Sequence, residues 1–147
     1  MISASLNILI IEDAEIIINQ LRILLWDKNS THNIRSANSA ELGFGLVEES
    51  FPDVFILDIK LPGISGIELL SKIKQDYPFS SPLIIILTNM PHAIYKHACL
   101  SKGANFFLDK SRDFLELPEI LDSYFSKDDI RKVKFNPPNS SLCNSPI

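Results

Sequence analysis

Asp58 closes the apolar run Val54-Phe55-Ile56-Leu57 and is followed at once by Ile59-Lys60-Leu61-Pro62-Gly63-Ile64-Ser65-Gly66. An aliphatic run bounded by turn residues reads as a buried strand, which leaves the carboxylate at the lip of a sheet. Glu12 and Asp13 close an earlier run, Leu6 to Ile11; Thr88 closes a third, and Lys110 follows a fourth, Phe106-Phe107-Leu108. Taken singly, the acids read as helix caps or turn residues and the lysine as a solvated side chain. Taken together, the four strand ends have one chemical logic, phosphoryl transfer. A hard cation such as magnesium takes oxygen ligands. Asp13 and Asp58 can supply carboxylates, with Glu12 reaching through water. The other oxygen of Asp58 is then free to attack phosphorus and form an aspartyl phosphate. Lys110 would neutralise charge on the transferring group, and Thr88 would donate a hydroxyl hydrogen bond to it.

Short aliphatic runs alternate with amphipathic stretches. Strands are expected over 6–11, 33–37, 54–58, 83–88 and 105–109, the weakly apolar second one at a sheet edge. Between them, Ile17, Leu21, Leu24 and Leu25 mark one helix face, Ala40, Phe44 and Val47 a second, and Ile67, Leu70, Ile73 and Tyr77 a third. Pro91 suits the first turn of a fourth helix over 91–102, with Gly103 past its end. Pro118 suits the first turn of a fifth, with Leu121, Tyr124 and Phe125 inward, which leaves 111–117 as a turn. Five βα units predict a parallel sheet with helices on both faces and a binding site at the carboxyl ends of the strands. After Phe125 the apolar rhythm fades, and a flexible tail is expected over 127–147 behind a domain spanning 1–126.

The chain has 147 residues, enough for one domain with a real core. Its net charge of −4 argues against nucleic acid as a direct partner. No stretch approaches the roughly 20 apolar residues that span a bilayer. The N-terminus has no basic stretch of the secretory type. Cys99 and Cys143 fit neither a disulfide framework nor zinc spacing, so a reduced, cytoplasmic setting is expected. His92 and His97 are five apart, the wrong spacing for two ligands on one helical face. Trp26 is expected at the far end of the first helix, roughly 20 Å from Asp13.

The ordered set Ile10-Ile11-Glu12-Asp13, Ile56-Leu57-Asp58 with Leu61-Pro62-Gly63-Ile64-Ser65-Gly66, Ile86-Leu87-Thr88, and Gly103-Ala104-Asn105-Phe106-Phe107-Leu108-Asp109-Lys110 resembles the receiver domain of two-component response regulators. The resemblance runs from about Leu6 to Phe125. It implies a flavodoxin-like, doubly wound α/β fold with a five-stranded parallel sheet in the order 2-1-3-4-5. It implies Asp58 as phospho-acceptor and Glu12, Asp13 and the Lys60 carbonyl around Mg2+. Thr88 and Lys110 would bind phosphate, with Thr88 and Phe107 as the switch pair. The phosphoryl group would come from a phosphohistidine on a sensor kinase or a histidine phosphotransfer protein. Such a chain is no enzyme in the usual sense, since it catalyses only its own phosphorylation and dephosphorylation. As a single-domain regulator it would signal through a downstream target protein or relay the phosphate. Alternatives are a phosphate-independent interaction module, or the receiver fragment of a DNA-binding regulator.

Two positions depart from the family pattern. Asn89 stands where a small residue is usual, so its amide should crowd the phosphate or hydrogen-bond to it. Ser111 follows Lys110 where proline, often cis, is common; a cis bond before serine costs roughly 3–4 kcal/mol, so a differently arranged loop is expected. Met90 is expected to shield the acyl phosphate from water. An aspartate-nucleophile phosphatase of the dehalogenase type would need an acid at position 60, which is lysine. A flavodoxin would need a Thr/Ser/Gly-rich phosphate loop after the first strand, and none is present.

Overall fold

The computed structural model describes residues 5–26 and 32–126. Five strands, β1 (Asn7–Ile11), β2 (Asn33–Ala37), β3 (Val54–Leu57), β4 (Leu83–Thr88) and β5 (Phe106–Asp109), alternate with helices α1 (Glu15–Leu24), α2 (Ala40–Glu49), α3 (Gly66–Asp76), α4 (Ala93–Ser101) and α5 (Leu117–Tyr124). A short 3-10 turn, Phe114–Glu116, precedes α5. All neighbouring strands pair in parallel, in the order β2-β1-β3-β4-β5. Fold class and strand order are those anticipated from the sequence.

Strand side chains alternate between faces, so one sheet builds two cores. Ile8, Ile10, Val54, Ile56 and Ile85 meet Ile18 and Leu21 of α1 and Leu117 and Leu121 of α5. Leu9, Ile11, Phe55, Leu57 and Ile86 face the other way, against Val47 of α2, Leu70 and Ile73 of α3 and Cys99 of α4. Because both faces of the central strands are covered, β3 and β4 are buried throughout and read as continuous aliphatic runs. The edge strand β2 is only partly buried, and Arg22 from α1 donates to its Ile34 carbonyl at 2.8 Å.

Boundaries differ from the sequence reading by a residue or two. β1 starts at Asn7, β3 stops at Leu57 and β5 starts at Phe106. The fourth helix begins at Ala93, behind a His92 N-cap, so Pro91 lies before it and not in its first turn. Pro118 does sit in the first turn of α5. The anticipated tail, 127–147, and Cys143 fall outside the described residues. Cys99 is buried, and burial pushes its thiol up to about 11, which removes it as a nucleophile at neutral pH. Among the described residues no helix is long and apolar enough to cross a membrane.

Candidate functional site

β1 sits between β2 and β3, so the chain winds outward in both directions from this pair and opens a crevice at their carboxyl ends. Backbone pairing continues just past the strands and sets the residues that follow them. Glu12 N donates to Ala37 O at 3.0 Å, Asp58 N to Ile11 O at 3.0 Å, and Lys110 N to Thr88 O at 2.9 Å. Glu12, Asp58 and Lys110 are therefore anchored by the sheet, one residue beyond it.

Glu12, Asp13 and Asp58 each present a carboxylate oxygen within 4.8 Å of the other two. Glu12 and Asp58 are buried and Asp13 is exposed, so the cluster opens to solvent on the Asp13 side. Lys110 crosses from the far strand end. Its Nζ lies 2.7 Å from Glu12 Oε1 and 3.0 Å from Asp58 Oδ2. The remaining oxygens are also held: Ile59 N donates to Asp58 Oδ1 at 2.7 Å and Ala14 N to Glu12 Oε2 at 3.0 Å. Burial raises the Glu12 carboxyl above its ordinary value, against the Lys110 and Ala14 hydrogen bonds that lower it. Burial also works against the Lys110 ammonium, but its bonds to Glu12 and Asp58 outweigh that and raise it.

The other anticipated residues surround this core. Thr88 is fully buried, its Oγ1 accepting from Met90 N at 3.0 Å. Phe107 is half-buried, packed against the core on the α3–α4 side. The Lys60 side chain is exposed, in the loop that follows Asp58. Asn89 is exposed beside Thr88. No described peptide bond is cis, and the loop behind Lys110 closes on itself instead. Asp109 Oδ1 accepts from Ser111 N and Ser111 Oγ at 2.9 and 2.8 Å, while Asp109 N donates to Asp113 at 2.9 Å. The Ser111 backbone and hydroxyl bonds hold the Asp109 carboxyl below its usual range. Trp26, at the other end of α1, is 69% exposed and away from the cluster.

One residue is more tightly constrained than its place in the motif suggested. A Cβ on Gly66 would come 1.9 Å from the Asp58 carbonyl oxygen. Gly66 N also donates to Ile59 O at 2.8 Å, which fastens the start of α3 against the backbone of the candidate acceptor. A glycine opening a helix eight residues after Asp58 was the available signal. The donor set, three carboxylates with one side open, suits a hard divalent cation.

The fold and site together define a doubly wound α/β domain with a carboxylate cluster and a bridging lysine at the carboxyl edge of its sheet. The model of the response regulator receiver domain matches residues 8–122, and the chain belongs to that family. It is 32% identical over 105 residues to histidine kinase P4 of Formosa agariphila, covering 71% of this chain and 7% of the kinase. It is 31% identical over 105 residues to the DNA-binding transcriptional activator EvgA of Escherichia coli K12, covering 71% of this chain and 50% of EvgA. The chain thus spans half or less of these relatives. A CheY-like receiver domain protein from Methanospirillum hungatei superposes with a TM-score of 0.74 at 23% identity, covering 89% of this chain and 99% of its own.

Proposed function

We propose that this chain accepts a phosphoryl group on Asp58 from a phosphohistidine of a sensor kinase or histidine phosphotransfer protein. The observation that carries this reading is the Lys110 ammonium held against both Glu12 and Asp58 beside a three-carboxylate cluster. Glu12, Asp13, Asp58 and the Lys60 carbonyl would hold Mg2+, which supplies charge neutralisation for the transferring phosphoryl group. Asp58 Oδ would attack phosphorus as the phosphorus–nitrogen bond breaks, the electron pair and a proton going to the imidazole. Lys110 then exchanges a carboxylate for a phosphate oxygen, and Thr88, freed from Met90, donates its hydroxyl to another. Phe107 would follow Thr88 inward and alter the face made by α4, β5 and α5, where a target protein binds. Alternatively, the phosphate passes onward to a further histidine.

The receiver unit is assigned to residues 1–126, acting in the cytoplasm. A second reading, the receiver portion of a DNA-binding regulator, is favoured by one observation: the match covers half of a transcriptional activator. Incubation with Mg2+ and a small phosphodonor, followed by intact mass, tests the phosphoryl step. One phosphoryl group should be gained, lost on omitting Mg2+ and absent in Asp58→Asn. No gain under any of these conditions would favour a phosphate-independent module.

A further inference from the structure

The open edge of the sheet carries a feature that phosphoryl transfer does not use. A cleft of about 540 Å³ lies across the carboxyl end of β2, between α1 and α2. Its floor is apolar, built by Ile18, Ala37 and Leu46, and its rim is acidic, with Glu15, Glu41 and Glu49. Leu42, at the same rim, is 60% exposed. Gly45 borders the cleft from within α2, and a Cβ there would meet nothing within 4 Å. Gly43, two residues earlier, differs: its Cβ would meet Ile11 Cδ1 at 2.4 Å. Packing thus explains Gly43 but not Gly45, although glycine is a poor helix former. The bare backbone at Gly45 leaves a notch through which another chain can approach closely.

Among the described residues the edge itself is unpaired at the same place: β2 pairs only with β1, and Asn33 N and Ala37 O are turned toward that partner. By strand alternation Ile34 and Ser36 turn their backbones outward. Arg22 occupies the Ile34 carbonyl and also bonds Ser36 Oγ at 3.1 Å, and Ser36 borders the cleft.

The chemistry that fits is a segment mixing cations with apolar side chains. The sequence has one in Ile130-Arg131-Lys132-Val133-Lys134-Phe135, and no Asp or Glu follows Asp129. The rest of the molecule is acidic enough that the whole chain has a net charge of −4. The segment's three cations, Arg131, Lys132 and Lys134, complement the acidic rim of Glu15, Glu41 and Glu49. We propose that the cleft receives the Ile130–Phe135 segment of a second copy of this chain, laid along the open end of β2.

Sedimentation velocity of the full chain across a wide concentration range, without phosphodonor, tests this. Reversible self-association that weakens with salt is expected. Replacing Arg131, Lys132 and Lys134 by Ser should weaken it roughly tenfold, as losing three rim ion pairs implies. Gly45→Ala should weaken it too while raising the urea midpoint, so a folding defect cannot account for the loss. A chain with Glu41→Lys and Glu49→Lys, and another with Lys132→Glu and Lys134→Glu, should each be monomeric alone and associate when mixed. A chain monomeric at every concentration, or one whose association ignores both sets of reversals, would overturn the proposal.

Discussion

Replacing Gly66 by alanine separates local preference from tertiary constraint. Judged as a helical residue, the change should stabilise by up to about 1 kcal/mol, because alanine is the better helix former. The structure reverses the sign. The new Cβ would sit 1.9 Å from the Asp58 carbonyl oxygen, far inside van der Waals contact. A shift of about 1.5 Å is needed to restore a normal separation. α3 cannot retreat freely, because Leu69, Leu70 and Ile73 are fully buried against the sheet. Overpacking of this kind costs about 3 kcal/mol at the upper end, for a net loss of about 2 kcal/mol. At this chain length that lowers the melting temperature by roughly 6 °C. Moving the Asp58 backbone also disturbs its carboxylate, which Lys110 holds at 3.0 Å, so phosphoryl gain should slow. Urea unfolding together with the intact-mass assay measures both effects, and Gly45→Ala serves as the control, with a gain of up to about 1 kcal/mol. A Gly66→Ala protein as stable as the parent, phosphorylated at the parent rate, would refute the reasoning.

Other outcomes follow from the buried cation and its partners. Lys110→Met leaves Glu12 and Asp58 without their cation and should cost about 2 kcal/mol at neutral pH, below the range for a fully enclosed pair because the pocket opens at Asp13. The folded-state value of Lys110 is raised above 10.5, so its contribution is complete below that pH and fades as pH rises through the folded value. The stability gap between parent and Lys110→Met, from urea curves, should therefore narrow in alkali. Glu12 is raised above 4.5, so the folded protein takes up this proton before the unfolded chain does. Acidification from neutrality toward 4.5 should thus relieve a penalty in the parent that Glu12→Gln lacks, visible as a difference in the pH slope. Met90 is half-buried, with its N–H on Thr88 Oγ1. Met90→Gln should admit water and shorten the phosphoryl lifetime several-fold by timed mass measurements; an unchanged lifetime would exclude the shielding role.

Much of the fold was legible because the hydrophobic effect writes itself into spacing. β3 and β4 are covered on both faces, so Val54–Leu57 and Leu83–Thr88 are unbroken apolar runs, while β2 at the edge is mixed. The polar residues ending those runs were equally visible, since only a strand end tolerates a carboxylate or ammonium at the rim of such a core. The start of α4 was misjudged by two residues, because proline is tolerated both inside a first turn and just before a helix.

What spacing determines is which residues stand at the rim; it does not say which touch. Glu12, Asp58 and Lys110 are separated by long stretches of chain, and the strand order alone puts β1, β3 and β5 where one lysine can span to both acids. The Asp109–Ser111–Asp113 turn that stands in for a proline depends on hydrogen bonds whose geometry no local preference encodes. Gly66 and Gly45 look alike as helical glycines, yet one abuts a backbone carbonyl and the other faces open space. Local preference is a property of a few neighbouring residues, whereas contact distance depends on how the whole sheet packs, so that difference became visible only in three dimensions.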